Sequence, residues 1–180
     1  MNYFDNKVIA VLIINTLDGL LDKVDQLLSD NFDVLEVTLR TNCAFEAIQL
    51  IKEHYPNLKV GAGTIISLDQ LEKSIASGAD FGVSPGLNTK IVQRAQSLKF
   101  DFVPGIATAS ELEKAMELGL TFVKVFPAKS CGGTEFIKAL SGPYSHMEFM
   151  PTGGITKETA ADYLQIPTVK CVGGSWMNHK

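Results

Sequence analysis

The sequence predicts an α/β protein, a (β/α)8 TIM barrel whose eight parallel strands close on themselves. Three observations carry that expectation. Short apolar runs alternate with segments of helical periodicity along the whole 180-residue chain. Comparable strand-end positions, Arg40, Thr64, Pro85, Gly105, Phe126, Thr152 and Gly173, recur at intervals of 20 to 26 residues, the length of one βα unit. The strands are mostly apolar rather than half polar, as in a parallel sheet covered by helices, and eight units favour closure. An open doubly wound sheet is the alternative, but Ile14-Asn15-Thr16 stands where its glycine-rich dinucleotide turn would follow the first strand. No linker or low-complexity stretch interrupts the series, so residues 1–180 read as one domain.

The first strand is the apolar run 8–14, and Asn15-Thr16 precede Leu17, Leu20, Leu21, Val24, Leu27 and Leu28, which recur at helical spacing. The second strand spans 34–40, and Pro56 closes the helix after it, 44–55. A third strand at 59–65 is followed by a helix that Ser67 caps and that ends near Gly78. Residues 81–84 run into Pro85-Gly86 and a helix at 89–99. Residues 102–105 run into a helix that Thr108 or Ser110 caps and Gly119 ends. The sixth strand carries Lys124, and Gly132-Gly133 opens the helix 134–140. Residues 149–152, 157–164 and 169–172 give the seventh strand, its helix and the eighth strand. After Trp176 only four residues follow, so the final helix of such a barrel is expected to be missing, leaving an apolar strip over the first and eighth strands for an oligomer partner or the N-terminal segment to cover.

With a net charge of −4 and its Lys and Arg scattered, the chain shows no electrostatic footprint for nucleic acid or an anionic membrane. The longest apolar run is too short to span a bilayer. Cys43, Cys131 and Cys171 are odd in number, have no CxxC spacing and follow no signal peptide, which argues for reduced thiols in a cytoplasmic protein. His54, His146 and His179 lie far apart with no carboxylate or thiol at ligand spacing, so no metal site is expected.

Phe122-Val123-Lys124-Val125-Phe126 puts a lysine inside a buried strand, on the face shared by Phe122 and Phe126. Desolvation disfavours the ammonium form and so favours the neutral amine, the nucleophile that makes Schiff bases with ketones. In 34–40, Leu35, Val37 and Leu39 share one face while Glu36, Thr38 and Arg40 share the other. Barrel strands pack their outer face on helices, so the polar set points inward, Glu36 at mid-depth and Arg40 at the C-terminal rim. Gly61-Ala62-Gly63 leaves space inside and puts the Thr64 hydroxyl at that rim; Pro85 and Pro104 rigidify neighbouring turns. Thr152-Gly153-Gly154 and Gly173-Gly174-Ser175 follow the seventh and eighth strands, where barrels often bind phosphate through backbone N–H groups.

These motifs, Glu36 to Thr41, Gly61 to Thr64, Ser84 to Gly86, Lys124 to Ala128, Pro151 to Ile155 and Gly173 to Trp176, resemble those of the 2-keto-3-deoxy-6-phosphogluconate (KDPG) and 4-hydroxy-2-oxoglutarate (KHG) aldolases, in order and spacing. The resemblance runs from the first strand to the end of the chain. It implies a homotrimeric class I aldolase, a carbon–carbon lyase, that cleaves the phosphorylated keto-acid to pyruvate and glyceraldehyde 3-phosphate without cofactor or metal. By position it makes Lys124 the Schiff-base lysine and Glu36 the general acid/base. Arg40 and Thr64 then hold the pyruvate carboxylate, and Pro85 and Phe126 line the pyruvate pocket. Thr152, Gly153, Gly154, Gly173, Gly174 and Ser175 form the phosphate end. The sequence does not rank KDPG against KHG as substrate. Two alternatives remain: a phosphosugar isomerase or epimerase, against which Lys124 discriminates, and a non-catalytic phosphoanion-binding barrel, which pyruvate release from the phosphorylated substrate would separate from an aldolase.

Overall fold

A computed structural model of the chain describes residues 1–179; Lys180, the last residue of the expected domain, lies outside them. Nine strands alternate with seven α-helices: β1 (Lys7–Leu12), α1 (Leu20–Ser29), β2 (Val34–Thr38), α2 (Ala44–His54), β3 (Lys59–Gly63), α3 (Leu68–Ala76), β4 (Phe81–Val83), α4 (Thr89–Ser97), β5 (Asp101–Val103), β6 (Gly105–Ile106), α5 (Ala109–Glu117), β7 (Phe122–Val125), α6 (Gly133–Ser141), β8 (Glu148–Pro151), α7 (Ala160–Leu164) and β9 (Cys171–Gly174). Short 3-10 helices stand at each end, Asn2–Phe4 and Trp176–His179. No helix among the described residues is long and apolar enough to cross a membrane.

The expected closed eight-stranded barrel is not what forms. The strands make two parallel sheets, six in the order β5-β4-β3-β2-β1-β9 and three in the order β6-β7-β8. Two prolines account for the interruptions. Pro104 has no N–H to donate, so the run expected as one fifth strand splits there: β5 pairs with β4 and β6 pairs with β7. Pro151 likewise cannot donate from β8, and no continuous ladder joins β8 to β9: isolated bridges link Phe149 of β8 to Val169, just before β9, and Thr152, just after β8, to Gly173 of β9.

The helix starts follow local chemistry. Ser67 Oγ accepts from the Gln70 N–H and Thr108 Oγ1 from the Glu111 N–H, while the Glu111 carboxylate accepts from the Ala107 N–H, a reciprocal cap. Asn88 caps α4 in the same way. Strands end earlier than their apolar runs: β2 stops at Thr38 because the Arg40 N–H turns back to the Thr38 carbonyl, and β3 stops before Thr64, whose φ is +67°.

Alternation divides the core into layers. Leu35 and Val37 pack under α1 and α2 with Ala10, Leu12, Val24 and Ile48, and Val123, Val125 and Phe149 pack under α5 to α7 with Leu112 and Ile137. A third cluster lies on the opposite strand faces: Ile9, Val34, Phe81, Val83, Val103, Phe122, Met150 and Cys171, with Phe4 inserted among them. Each large side chain so buried stabilises the fold by about 1.5–3 kcal/mol.

The segments at the two ends differ from expectation. The strip over β1 and β9 is not bare, since Ala10, Leu12, Val169 and Val172 are all buried. The chain's own Met177 and Trp176 pack there; the Trp176 ring occupies the volume that a side chain at Gly174 would need. The N-terminal segment goes elsewhere, with Phe4 edge-on to Phe81 at 4.9 Å and the Tyr3 hydroxyl donating to Asp101 at 2.9 Å.

Candidate active site

Lys124 lies at the middle of β7, hydrogen-bonded through its N–H to the Pro104 carbonyl at 2.9 Å and registered against Gly105 on one side and Met150 on the other. It shares the inner face with Phe122, as the alternation of the run requires. The side chain is 6% exposed, and its Nζ stands 3.6 Å from Oε1 of Glu36, which is 1% exposed, and 5.2 Å from the centroid of the Phe126 ring. Among the described residues neither side chain makes a second ion pair, so each is the other's main partner in the interior. The pair is imperfectly satisfied: Glu36 Oε2 has no hydrogen-bond partner, nor has the buried Thr152 Oγ1. A buried carboxylate oxygen without a donor is costly in a purely structural ion pair.

Glycines make room for the Glu36 side chain. Glu36 is registered against Gly61 and Thr38 against Gly63. A side chain at Gly63 would occupy the place of the Glu36 carboxylate, and one at Gly61 would collide with the Phe81 ring. Gly105, opposite Lys124, brings its Cα against the Pro85 carbonyl, so the β4 turn and the lysine strand pack closely. Ser84 Oγ donates to the Gly86 carbonyl at 2.7 Å and holds Pro85 in that turn.

The rim above this pair comes from strand ends. The Leu39 N–H donates to the Gly63 carbonyl at 2.8 Å, so Arg40 and Thr64 emerge from adjacent strands. Thr64 is a β-branched residue at positive φ, a strained conformation that persists where the surroundings impose it. A cavity of about 170 Å³ opens beside them, lined by Arg40, Phe126, Thr152 and the Gly153-Gly154 and Gly173-Gly174-Ser175 loops. Gly153 and Gly154 have φ of +99° and +75°, which their glycines permit. The Thr152 Oγ1 lies 2.5 Å from where a Cβ at Gly173 would stand, so the two loops touch. A larger hollow of about 560 Å³ near Lys7, His54 and Tyr55 holds none of these groups.

Of the expected residues, Lys124 and Glu36 pair in the interior, and Arg40, Phe126, Thr152, Gly153, Gly154, Gly173, Gly174 and Ser175 line one cavity, while Thr64 and Pro85 are not among its lining residues. Two supports, Thr38 and Ser84, stood in the sequence motifs without an assigned role. Thr38, whose Oγ1 donates to the Leu12 carbonyl at 3.0 Å, lines the cavity and ties β2 to β1. Its place between Glu36 and Arg40 on one face was the available signal. Ser84, two residues before Gly86, carried none beyond the turn itself. Cys171 also faces inward, and burial pushes its thiol well up, so it stays protonated and is no rival nucleophile.

Comparison with known proteins gives a consistent result. The family model for KDPG and KHG aldolases matches residues 3–180. The chain is 41% identical over 174 residues to the 2-dehydro-3-deoxy-phosphogluconate aldolase of Haemophilus influenzae, covering 97% of this chain and 82% of that protein. Among solved structures, the KDPG aldolase of Legionella pneumophila with pyruvate captured at low pH as a covalent carbinolamine superposes with a TM-score of 0.91 at 39% identity, covering 94% of this chain and 82% of the other. The Zymomonas mobilis aldolase with 3-phosphoglycerate gives 0.92 at 38%, covering 97% and 83%.

Proposed function

The chain belongs to the KDPG and KHG aldolase family, and from that premise we propose how its residues cleave a phosphorylated 2-keto-3-deoxy acid to pyruvate and glyceraldehyde 3-phosphate, and 4-hydroxy-2-oxoglutarate to pyruvate and glyoxylate. It is a carbon–carbon lyase. The observation that carries the residue assignment is the buried approach of Lys124 Nζ to Glu36 Oε1 at 3.6 Å, with the second carboxylate oxygen unpartnered.

In this reading the unprotonated Lys124 amine adds to the C2 ketone to give a carbinolamine, and loss of water gives an iminium. Glu36 accepts the proton of the C4 hydroxyl as the C3–C4 bond breaks, and the bonding electron pair passes into the iminium to leave an enamine. The aldehyde departs. Glu36 returns its proton to C3 of the enamine, and water hydrolyses the resulting iminium to pyruvate and the free lysine. General acid–base help of this kind is typically worth about 10²–10⁴-fold. Arg40 suits the substrate carboxylate, since a guanidinium can bind it bidentately, with Thr64 beside it; Phe126 and Pro85 wall the pyruvate portion. The glycine loops 152–154 and 173–175 take the phosphate through backbone N–H groups. The covalent pyruvate carbinolamine named for the Legionella relative supports the imine chemistry. The homotrimer and cytoplasmic setting that the family resemblance implies belong to the same proposal; Ile66 and Leu68, 61% and 43% exposed, are apolar side chains free to join an interface.

Pyruvate release from the phosphorylated keto-acid, followed through a coupled dehydrogenase, tests the reading. Turnover by the native chain and its loss in Lys124→Met are expected. Undiminished turnover in Lys124→Met would overturn it.

A further inference from the structure

Arg40 is the one cation among the residues lining the cavity, and the proposed reading gives it to the substrate carboxylate. That leaves the phosphate end with backbone dipoles and hydroxyls but no opposite charge. Lys129 stands at that end. Its N–H donates to the Gly153 carbonyl at 3.0 Å, and the Ala128 N–H donates to the Thr152 carbonyl at 2.8 Å, so the segment after β7 is clamped to the loop after β8. The aliphatic chain of Lys129 lies across Gly154: a Cβ at Gly154 would come within 2.6, 2.9 and 3.3 Å of its Cβ, Cδ and Cγ. A side chain at Gly154 would collide with this lysine stem, so the stem lies directly against the loop. Lys129 is exposed and makes no ion pair with any described carboxylate. Several surface lysines are paired, Lys73 with Asp69, Lys114 with Glu117 and Lys138 with Glu135, whereas Lys129, like Lys90, Lys99 and Lys157, is not; of these unpaired lysines it is Lys129 whose stem touches a loop lining the cavity.

We propose that Lys129 is a specificity-determining residue, the mobile cation that selects substrates carrying a terminal phosphate dianion. The proposal rests on the loops 152–154 and 173–175 being the phosphate end. A flexible ammonium on a stem suits this task, since it meets a phosphate as a point charge without fixed geometry. It would favour the phosphorylated keto-acid over its dephosphorylated counterpart, whose terminal hydroxyl offers no charge.

Steady-state kinetics on the two substrates, KDPG and the same keto-acid without phosphate, tests this. Lys129→Gln should raise KM for the phosphorylated substrate about three- to tenfold, the range for one partly exposed charge-assisted contact, with far less effect on the dephosphorylated one. Lys129→Arg should restore most of the preference and Lys129→Glu should weaken it further. Added salt should raise KM of the native protein for the phosphorylated substrate more than that of Lys129→Gln. Equal changes for both substrates would mark a packing role over Gly154 and overturn the proposal. A native preference for phosphate that survives Lys129→Gln intact would overturn the role of Lys129 alone. No native preference at all would overturn the phosphate-loop reading beneath it.

Discussion

Gly63 lies on β3 where the carboxylate of Glu36 lies over it, so that the absent side chain of one residue is the site of the other's charge. Gly63→Ala would push the carboxylate away from Lys124, because the nearest atoms it meets, Oε1, Cδ and Cγ, all belong to Glu36. Misplacing a reacting group by an ångström can cost roughly 10²-fold, so kcat should fall by about that factor. Near-native kcat in Gly63→Ala, measured by pyruvate release, would show that the position of Glu36 is not critical.

Glu36 lies buried within β2, while Arg40 follows the end of that strand and is exposed at the rim. Glu36→Gln should lower kcat by about 10²–10⁴ while still allowing some imine formation with pyruvate. Arg40→Ala should act mainly on KM. Initial-rate kinetics on both variants, with the opposite pattern as the contrary result, separates the roles.

Asp80 lies just before β4 and bonds the start of β3, at the opposite strand ends from Arg40 and Thr64. Burial raises its carboxyl, but hydrogen bonds from Lys52, the Val60 N–H and Lys59 outweigh that and hold it below its ordinary 3.8. A lowered folded value means that the group stabilises the fold above its unfolded value and loses that contribution as pH falls through the lower folded one. Acid titration of stability by urea denaturation should therefore show a loss beginning below about pH 4. Asp80→Asn should be less stable near neutrality by about 1–3 kcal/mol and should show a shallower acid limb. An unchanged acid limb would contradict this assignment.

Phe4 is fully buried among Phe81, Phe122 and Val34, on the inner strand faces and at the opposite end of β2 from Arg40. Phe4→Ala should cost about 3–5 kcal/mol in urea unfolding. A cost below 1 kcal/mol would mean that the N-terminal segment is not part of the core.

The periodic features were legible in the sequence. Leu35 and Val37 pack outward under helices and Glu36 and Thr38 inward because strand alternation leaves no other choice, and Lys124 shares Phe122's face for the same reason. Ser67 and Thr108 cap helices as their hydroxyls predict. What was not legible depends on which strand edges can pair. The count of eight suggested closure, yet Pro104 splits one expected strand and Pro151 thins the contact between β8 and β9, effects of two missing N–H groups that apolar patterning does not register. Chain-end packing was equally hidden: nothing local in Tyr3-Phe4 says that it enters the interior, and Trp176 covers its own neighbour Gly174 where a bare strip was expected. Within the site, residue types were readable but not the gaps between them. That Gly63 makes room for Glu36, and Gly154 for Lys129, follows from register and from loop contacts that only the folded chain supplies.

The central claim is that the amine beside Glu36 forms the covalent intermediate, and trapping it tests the claim most directly. The protein is incubated with pyruvate, reduced with borohydride, digested and sequenced by mass spectrometry. The account predicts a lactyl-type adduct on Lys124, absent from Lys124→Met and still formed, more slowly, in Glu36→Gln. Labelling at Lys129 or Lys59 with none at Lys124 would contradict it.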